Sequence, residues 1–456
     1  MPLILPGNVG SATAATELVS NSCRFNDGDT ASLSKTPSSN GSNTVWTVSM
    51  WCKRSHITTD QKIHAAGTSA TYELLFSDAD QLTLYNGSTT VFVTNRVFRD
   101  VSAWLNVVVS YNTGASGTDK CKLFINGTLE TSFATDNRSS AGAMNHINQS
   151  SQAQFVGNNN AGNGFDGYIA EVCVIDGTAL VATSFGEFDS DSGIWKPIDV
   201  SGLTFGTNGF YLDFEDSSNL GNDVNGGTDL TANNLAAIDQ STDNCINNFA
   251  VMNSIDNYFA GSTFSEGNLK VVTTGGNITY NTSTIGFSSG KWYMETKLAG
   301  SAGYTVGVVR GVATANDNGN KLGNRADGWS YDDGGDVEHN GGSLTGSFAS
   351  YSSGDIIGVY ADLDNNELYF SKNGTLQNSG TGLALTAGTY FFAVGDNNAS
   401  NSSTYEVNFG GTNTYSVSSG NTDGTYGNFE YSTTITGDGA SKTFKALNTK
   451  NLAEFG

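Results

Sequence analysis

The chain has 456 residues, too many for one ordinary domain and enough for two or three. Its 44 Asp and Glu stand against 21 Lys and Arg, a formal net charge of -23, and no basic cluster interrupts that sign. A phosphate-binding surface needs such a cluster, so the charge pattern argues against nucleic acid as a partner.

Only 14% of residues are charged, whereas there are 56 Gly, 18 Tyr and 25 Phe. That balance points to many short strands and tight turns, and so to an all-β chain. The 4 prolines are too few for a polyproline or mucin-like stalk.

Residues 1–16 read MPLILPGNVGSATAAT. Their apolar run Leu3-Ile-Leu5 lacks a basic flank and is too short for a signal peptide or a membrane span. Pro2 and Pro6 bracket that run, which is expected to be a docking segment or a disordered tail. Membrane insertion is not expected.

From residue 17 to 197 a strand grammar follows. Trp46, Val48, Met50 and Cys52 alternate on one face, as do Leu105, Val107, Val109 and Tyr111. Asn126-Gly127 separates two short apolar runs and predicts a hairpin, because both residues accept positive φ. A loop carrying Asn158, Asn159, Asn160 and Asn163 precedes the run Phe165–Asp176.

The Trp104 strand, the Phe124-Ile-Asn-Gly127 hairpin and the Gly167-Tyr-Ile-Ala-Glu-Val strand together resemble the laminin-G, or concanavalin A-like, jelly roll. The five cysteines, at 23, 52, 121, 173 and 245, form no CxxC pair and suit neither a disulfide framework nor a zinc site. Cys52, Cys121 and Cys173 lie inside apolar strand patterns, where a thiol packs as a small hydrophobe. Reduced thiols point to folding in a cytoplasm.

Residues 198–254 are rich in Asn, Asp, Ser, Thr and Gly and read as an irregular connector, with Phe210–Phe214 as one further strand. Residues 255–410 then form a second sandwich. Ile357, Val359, Ala361 and Leu363 share a strand face, Asp364-Asn365-Asn366 turns the chain, and Asn373-Gly374 predicts a second tight turn. This string resembles the central hairpin of SPRY domains. The resemblance extends to Gly290–Leu298, Val306–Val309 and Gly328–Tyr331. Residues 411–456 read as a polar, turn-rich C-terminal tail whose last apolar run packs on a neighbour.

The expected fold is therefore two antiparallel jelly-roll-type β-sandwiches joined by a connector. That combination resembles structural proteins of marine bacteriophages. The resemblance implies a virion component on a fibre, tail or capsid surface, made in the host cytoplasm and released by lysis. It further implies other virion proteins as partners, homo-oligomerisation, and adhesion to a host-surface glycan or protein. Capsid decoration or a fibre connector is the alternative role.

Catalysis has no motif. Glu187-Phe-Asp189 and Asp362-Leu-Asp-Asn-Asn-Glu367 each fall short of the paired-glutamate pattern of jelly-roll glycosidases, so a polysaccharide hydrolase is the weakest reading. His56, His64, His146 and His339 accompany no nucleophile elbow and no HExxH.

Calcium is the one candidate cofactor. Asp27 and Asp29 offer hard oxygen ligands, and the laminin-G resemblance implies such a site; solvated turn carboxylates are the plain alternative. For ligand binding, Trp329, Tyr331, Asp333 and His339 combine aromatic faces with polar groups. For Trp329 itself a core position is the favoured reading. The Asn158, Asn159, Asn160 and Asn163 loop is the second candidate.

Overall fold

A computed structural model describes residues 18–67, 71–159, 162–255, 261–276, 278–300, 302–310, 321–400 and 402–456. The expected N-terminal segment 1–16 lies outside them. Among the described residues the fold is all-β, with one α-helix, Thr449–Phe455. The chain divides into two compact units between Ile246 and Asn247.

The first unit is a sandwich of two antiparallel sheets. One runs Thr128–Leu129, Cys121–Ile125, Leu105–Asn112, Val45–Arg54, Gly167–Asp176, Ser22–Phe25 and Gln240–Ser241, with Phe210–Leu212 also paired to Gly167–Asp176. The other runs Phe133–Asp136, Thr89–Val97, Gln81–Asn86, Tyr72–Phe76, Gln61–Ala66, Gln154–Val156, Ser32–Lys35 and Thr231–Asn233.

The two inner faces supply the core. Trp46, Val48, Met50 and Cys52 from one sheet join Tyr72, Leu74 and Phe76 from the other. Each fully buried large apolar side chain stabilises by roughly 1.5–3 kcal/mol. Asn126 and Gly127 take φ of 46° and 75°, the expected tight turn. All five cysteines are unpaired, and Cys23, Cys52, Cys121 and Cys173 are buried.

The segment expected as a connector is different in kind. Phe210–Leu212, Thr231–Asn233 and Gln240–Ser241 are strands of the first unit. Phe210, Leu212, Phe214, Leu220 and Leu230 belong to its core. The polar residues between them turn the chain: Asp223 accepts from the backbone N–H of Tyr211, and Asp229 from that of Asp223, each at 3.0 Å. A few well-placed apolar residues hold the segment, and its composition reflects only its loops.

In the second unit a nine-stranded sheet contains Thr263–Ser265, Lys270–Val272, Ser403–Asn408, Lys291–Gly300, Ile356–Asp362, Glu367–Lys372 and Thr375–Leu376 in that order. Leu383–Ala384 pairs with Glu367–Lys372, and Lys445–Ala446 pairs parallel to Lys291–Gly300. A six-stranded sheet runs Tyr280–Thr282, Tyr390–Asp396, Tyr304–Arg310, Gly328–Asp332, Val337–His339 and Gly342–Ser343. Asn373 and Gly374 take φ of 47° and 77°, again as expected.

Residues 411–456 depart from a simple tail. They supply a hairpin, Thr434–Gly437 with Ala440–Thr443, then the strand Lys445–Ala446 and the helix Thr449–Phe455. Phe429, Phe444 and Ala446 pack with Phe249, Tyr293, Tyr360 and Tyr369 in a separate aromatic core. This explains why Ile357 and Val359 are buried on one strand face and Tyr360 is buried on the other.

Candidate functional site

Asp27 and Asp29 lie in a 3-10 turn between Ser22–Phe25 and Ser32–Lys35. The Asp27 carboxylate accepts the Gly164 N–H at 2.5 Å, and the Asp27 N–H donates to Asp166 Oδ1 at 2.8 Å. Asn26 Nδ2 donates to Asp29 Oδ2 at 2.9 Å. Both carboxylates thus close loops. Calcium takes six to eight oxygens, and among the described residues no group of three or more His, Cys, Asp or Glu could hold a metal.

Asn158 and Asn159 are each 1% exposed, whereas Asn163 is exposed with φ of 60°. Asn160 lies outside the described residues. A Cβ at Gly164 would come within 2.5 Å of Asp27 Oδ1 and 2.8 Å of Asn158 Nδ2, so the Asn loop is closely packed against the Asp27 turn. His56 sits at the same rim, its Nδ1 3.7 Å from Asp166 Oδ2. The Asp166 carboxylate holds the His56 pKa above its ordinary value, against a smaller opposing effect of burial.

Asn159 leads to a second set that sequence reasoning missed. Lys62 Nζ donates to Asn159 Oδ1 and to the Gly162 carbonyl, both at 3.0 Å, and lies 3.4 Å from Glu73 Oε1. Thr71 Oγ1 donates to the same Glu73 oxygen at 2.7 Å. Glu73 is in register with Tyr85 on the neighbouring strand. Since Tyr72 and Leu74 point into the core, Glu73 and Tyr85 stand on the sheet's outer face.

Tyr85 is only partly buried. Desolvation raises its phenol pKa, helped by the carboxylates of Asp60, Glu73 and Asp78. A partly exposed ring beside Glu73, whose carboxylate meets the Lys62 ammonium and the Asn159 amide, can hold a polar ligand by stacking and hydrogen bonds. The one sequence clue was the polar Glu73 within Tyr-Glu-Leu-Leu-Phe; its partners lie on other strands.

The second candidate set faces inward. Trp329 is 2% and Tyr331 0% exposed. Trp329 stacks on His339 at 4.0 Å between ring centres, and Tyr331 packs on Phe348, Tyr351 and Phe370 while donating to the Ala349 carbonyl. His339 Nδ1 lies 2.9 Å from the Gly328 carbonyl. Asp333 accepts from the Gly303 N–H at 2.7 Å and from Asn397 Nδ2 at 2.8 Å. The four residues share one sheet and its edge loop, yet the expected aromatic platform is buried. Alternation along Gly328–Asp332 turns Trp329 and Tyr331 to the same side, which here is the packed side.

The short carboxylate motifs are ion-paired. Lys196 bridges Glu187 and Asp189 at 3.3 and 3.1 Å. Asp362 pairs with Lys291 and Lys442 at 3.5 and 3.1 Å, and Lys442 also pairs with Glu367.

Residues 26–183 match the model of the concanavalin A-like lectin/glucanases superfamily, and residues 291–412 match the SPRY domain. The chain thus carries a laminin-G-type domain followed by a SPRY domain, both β-sandwich folds. This pairing is consistent with a binding or recognition module.

Among solved structures the chain is similar to the SPRY domain of human HERC1, with 19% identity over 34% of this chain and 94% of that one, at a TM-score of 0.28. The TRIM65 PSpry domain shows 14% identity over 35% and 88%, also at 0.28. Stonustoxin shows 18% identity over 35% of this chain and 27% of its own, at 0.27. No curated protein matches the chain.

Proposed function

We propose that this is a non-enzymatic recognition protein carried on a bacteriophage particle, where its first unit adheres to a glycan of the host surface. The observation that carries this reading is the outer sheet face of a lectin-type domain, where partly exposed Tyr85 stands in register with Glu73, whose carboxylate meets Lys62 and Asn159. Many copies on one particle turn weak contacts into firm attachment through effective concentration. The chain works with other virion proteins and as a homo-oligomer, and it reaches new hosts after lysis.

Purified particles are expected to contain the chain, and Tyr85→Ala particles to adsorb more slowly to host cells. Recovery of the chain only from infected-cell lysate removes the virion assignment. A second role, capsid decoration or fibre connection, is favoured by the burial of Trp329 and Tyr331, which withholds an aromatic platform from ligands. Particles that contain the chain yet adsorb normally after its deletion decide for that role.

A further inference from the structure

The first unit has a cavity of about 340 Å³ whose lining includes Asp119, Lys122, Leu129, Glu130, Asp136 and Arg138. It lies where the sandwich is open at one side. Thr128–Leu129 is the edge strand of one sheet and Phe133–Asp136 the edge of the other. The volume is at the low end of small-molecule sites, about 300–1,000 Å³.

Every charge in it is matched. Arg138 grips Asp136 through Nε and Nη2, both at 2.8 Å, and sits 4.0 Å over the Phe133 ring. Lys122 lies 3.3 Å from Asp119. Glu130, 6% exposed, accepts the Thr131 and Ser132 N–H groups with Oε1 and pairs with Arg96 through Oε2 at 3.1 Å. An ion of either sign would have to compete with one of these pairs, and the chain's net charge of -23 repels anions at longer range.

We propose that this cavity binds one residue of an uncharged glycan. Sugar hydroxyls both donate and accept, so they add to carboxylate lone pairs and ammonium hydrogens without breaking the existing pairs. The exposed Thr118 and Thr131 hydroxyls extend the polar lining. Leu129, 43% exposed, offers an apolar wall to the C–H face of a pyranose ring. The inference rests on the glycan reading above and adds a contact separate from the Tyr85 face.

The test is saturation-transfer NMR on the full chain with glucose, galactose, mannose, N-acetylglucosamine and their β-linked disaccharides, beside glucuronate and glucosamine. Leu129→Arg and Lys122→Gln change exposed or half-exposed positions, and thermal melting checks that each variant folds. At least one neutral sugar is expected to bind, with affinity falling about tenfold or more in both variants. Binding lost only in Tyr85→Ala overturns the cavity site while leaving the proposed function standing. Binding of the charged sugars alone, or of none, also overturns it. Adhesion of the intact chain to host-cell polysaccharide, measured separately, then decides the wider reading.

Discussion

Lys53 and Asp243 are 190 residues apart in sequence, and their side chains form a 2.8 Å ion pair that is 1% and 2% exposed. Trp104 Nε1 donates to the other carboxylate oxygen at 3.0 Å. Removing one partner leaves a buried charge without compensation, which costs about 3–5 kcal/mol. Asp243→Ala is expected to lower the stability of the first unit by that order in chemical denaturation, and Lys53→Met with Asp243→Leu to recover much of it. A single variant as stable as the parent would show that the pair contributes nothing.

The same pair bears on where the first unit ends. A fragment of residues 18–246 is expected to unfold cooperatively, whereas one ending at residue 197 loses the Phe210–Leu212, Thr231–Asn233 and Gln240–Ser241 strands and should not. Proteolysis that trims 198–246 first, without loss of the remaining fold, would contradict this.

Asp396 is fully buried, and Thr273 Oγ1 donates to its Oδ1 at 2.6 Å. Burial pushes its carboxyl up to about 7, with the Thr273 and Ser403 hydroxyls pulling the other way. An unfolded aspartate titrates near 3.9, so between about pH 4 and 7 the folded chain holds more protons than the unfolded one. Stability from this group is therefore greatest below about pH 4, falls as pH rises towards 7, and is flat above, the total being on the order of 3–5 kcal/mol. Asp396→Asn should remove that slope from a plot of unfolding free energy against pH. An unchanged slope would place the titration elsewhere.

Glu295 is fully buried and accepts from Tyr415 OH at 2.8 Å, Asn408 Nδ2 at 3.0 Å, Tyr293 OH at 3.0 Å and the Glu430 N–H at 2.7 Å. Glu295→Ala leaves these donors without an acceptor, at a cost of about 1–3 kcal/mol for each one that stays buried. Loss of the second unit's near-ultraviolet dichroism at a lower denaturant concentration than in the parent is the expected readout.

At Gly374, with φ of 77°, an added Cβ would meet Tyr431 Cδ1 at 2.5 Å. Gly374→Val is expected to destabilise the second unit by about 1–3 kcal/mol through backbone strain alone, with more from the clash. Normal melting of that variant would reject the turn as a structural element.

The hairpins and the inward faces were legible because they depend on neighbours in sequence. Asn126-Gly127 and Asn373-Gly374 needed only their own φ preferences, and Trp46 to Cys52 only a period of two. What could not be read was packing at long range. Nothing near Asp243 announces Lys53, and nothing near Tyr85 announces Lys62 or Asn159. Trp329 stayed open between core and ligand platform, with core favoured, because alternation says which residues share a face but not whether that face meets solvent. The polar stretch from 198 to 246 misled for the related reason that average composition hides a few apolar residues at the right places.

The aromatic cover over Tyr293 and Tyr360 also sets an order of events during synthesis. The strands Lys291–Gly300 and Ile356–Asp362 emerge from the ribosome before Phe429 and Phe444, whose rings pack on those tyrosines at 4.8 and 5.2 Å. At about 5–20 residues per second, translating residues 409–456 takes roughly 2–10 s. For that interval the nascent sheet shows a row of uncovered aromatic rings, and it is then that a chaperone or another nascent chain would find it.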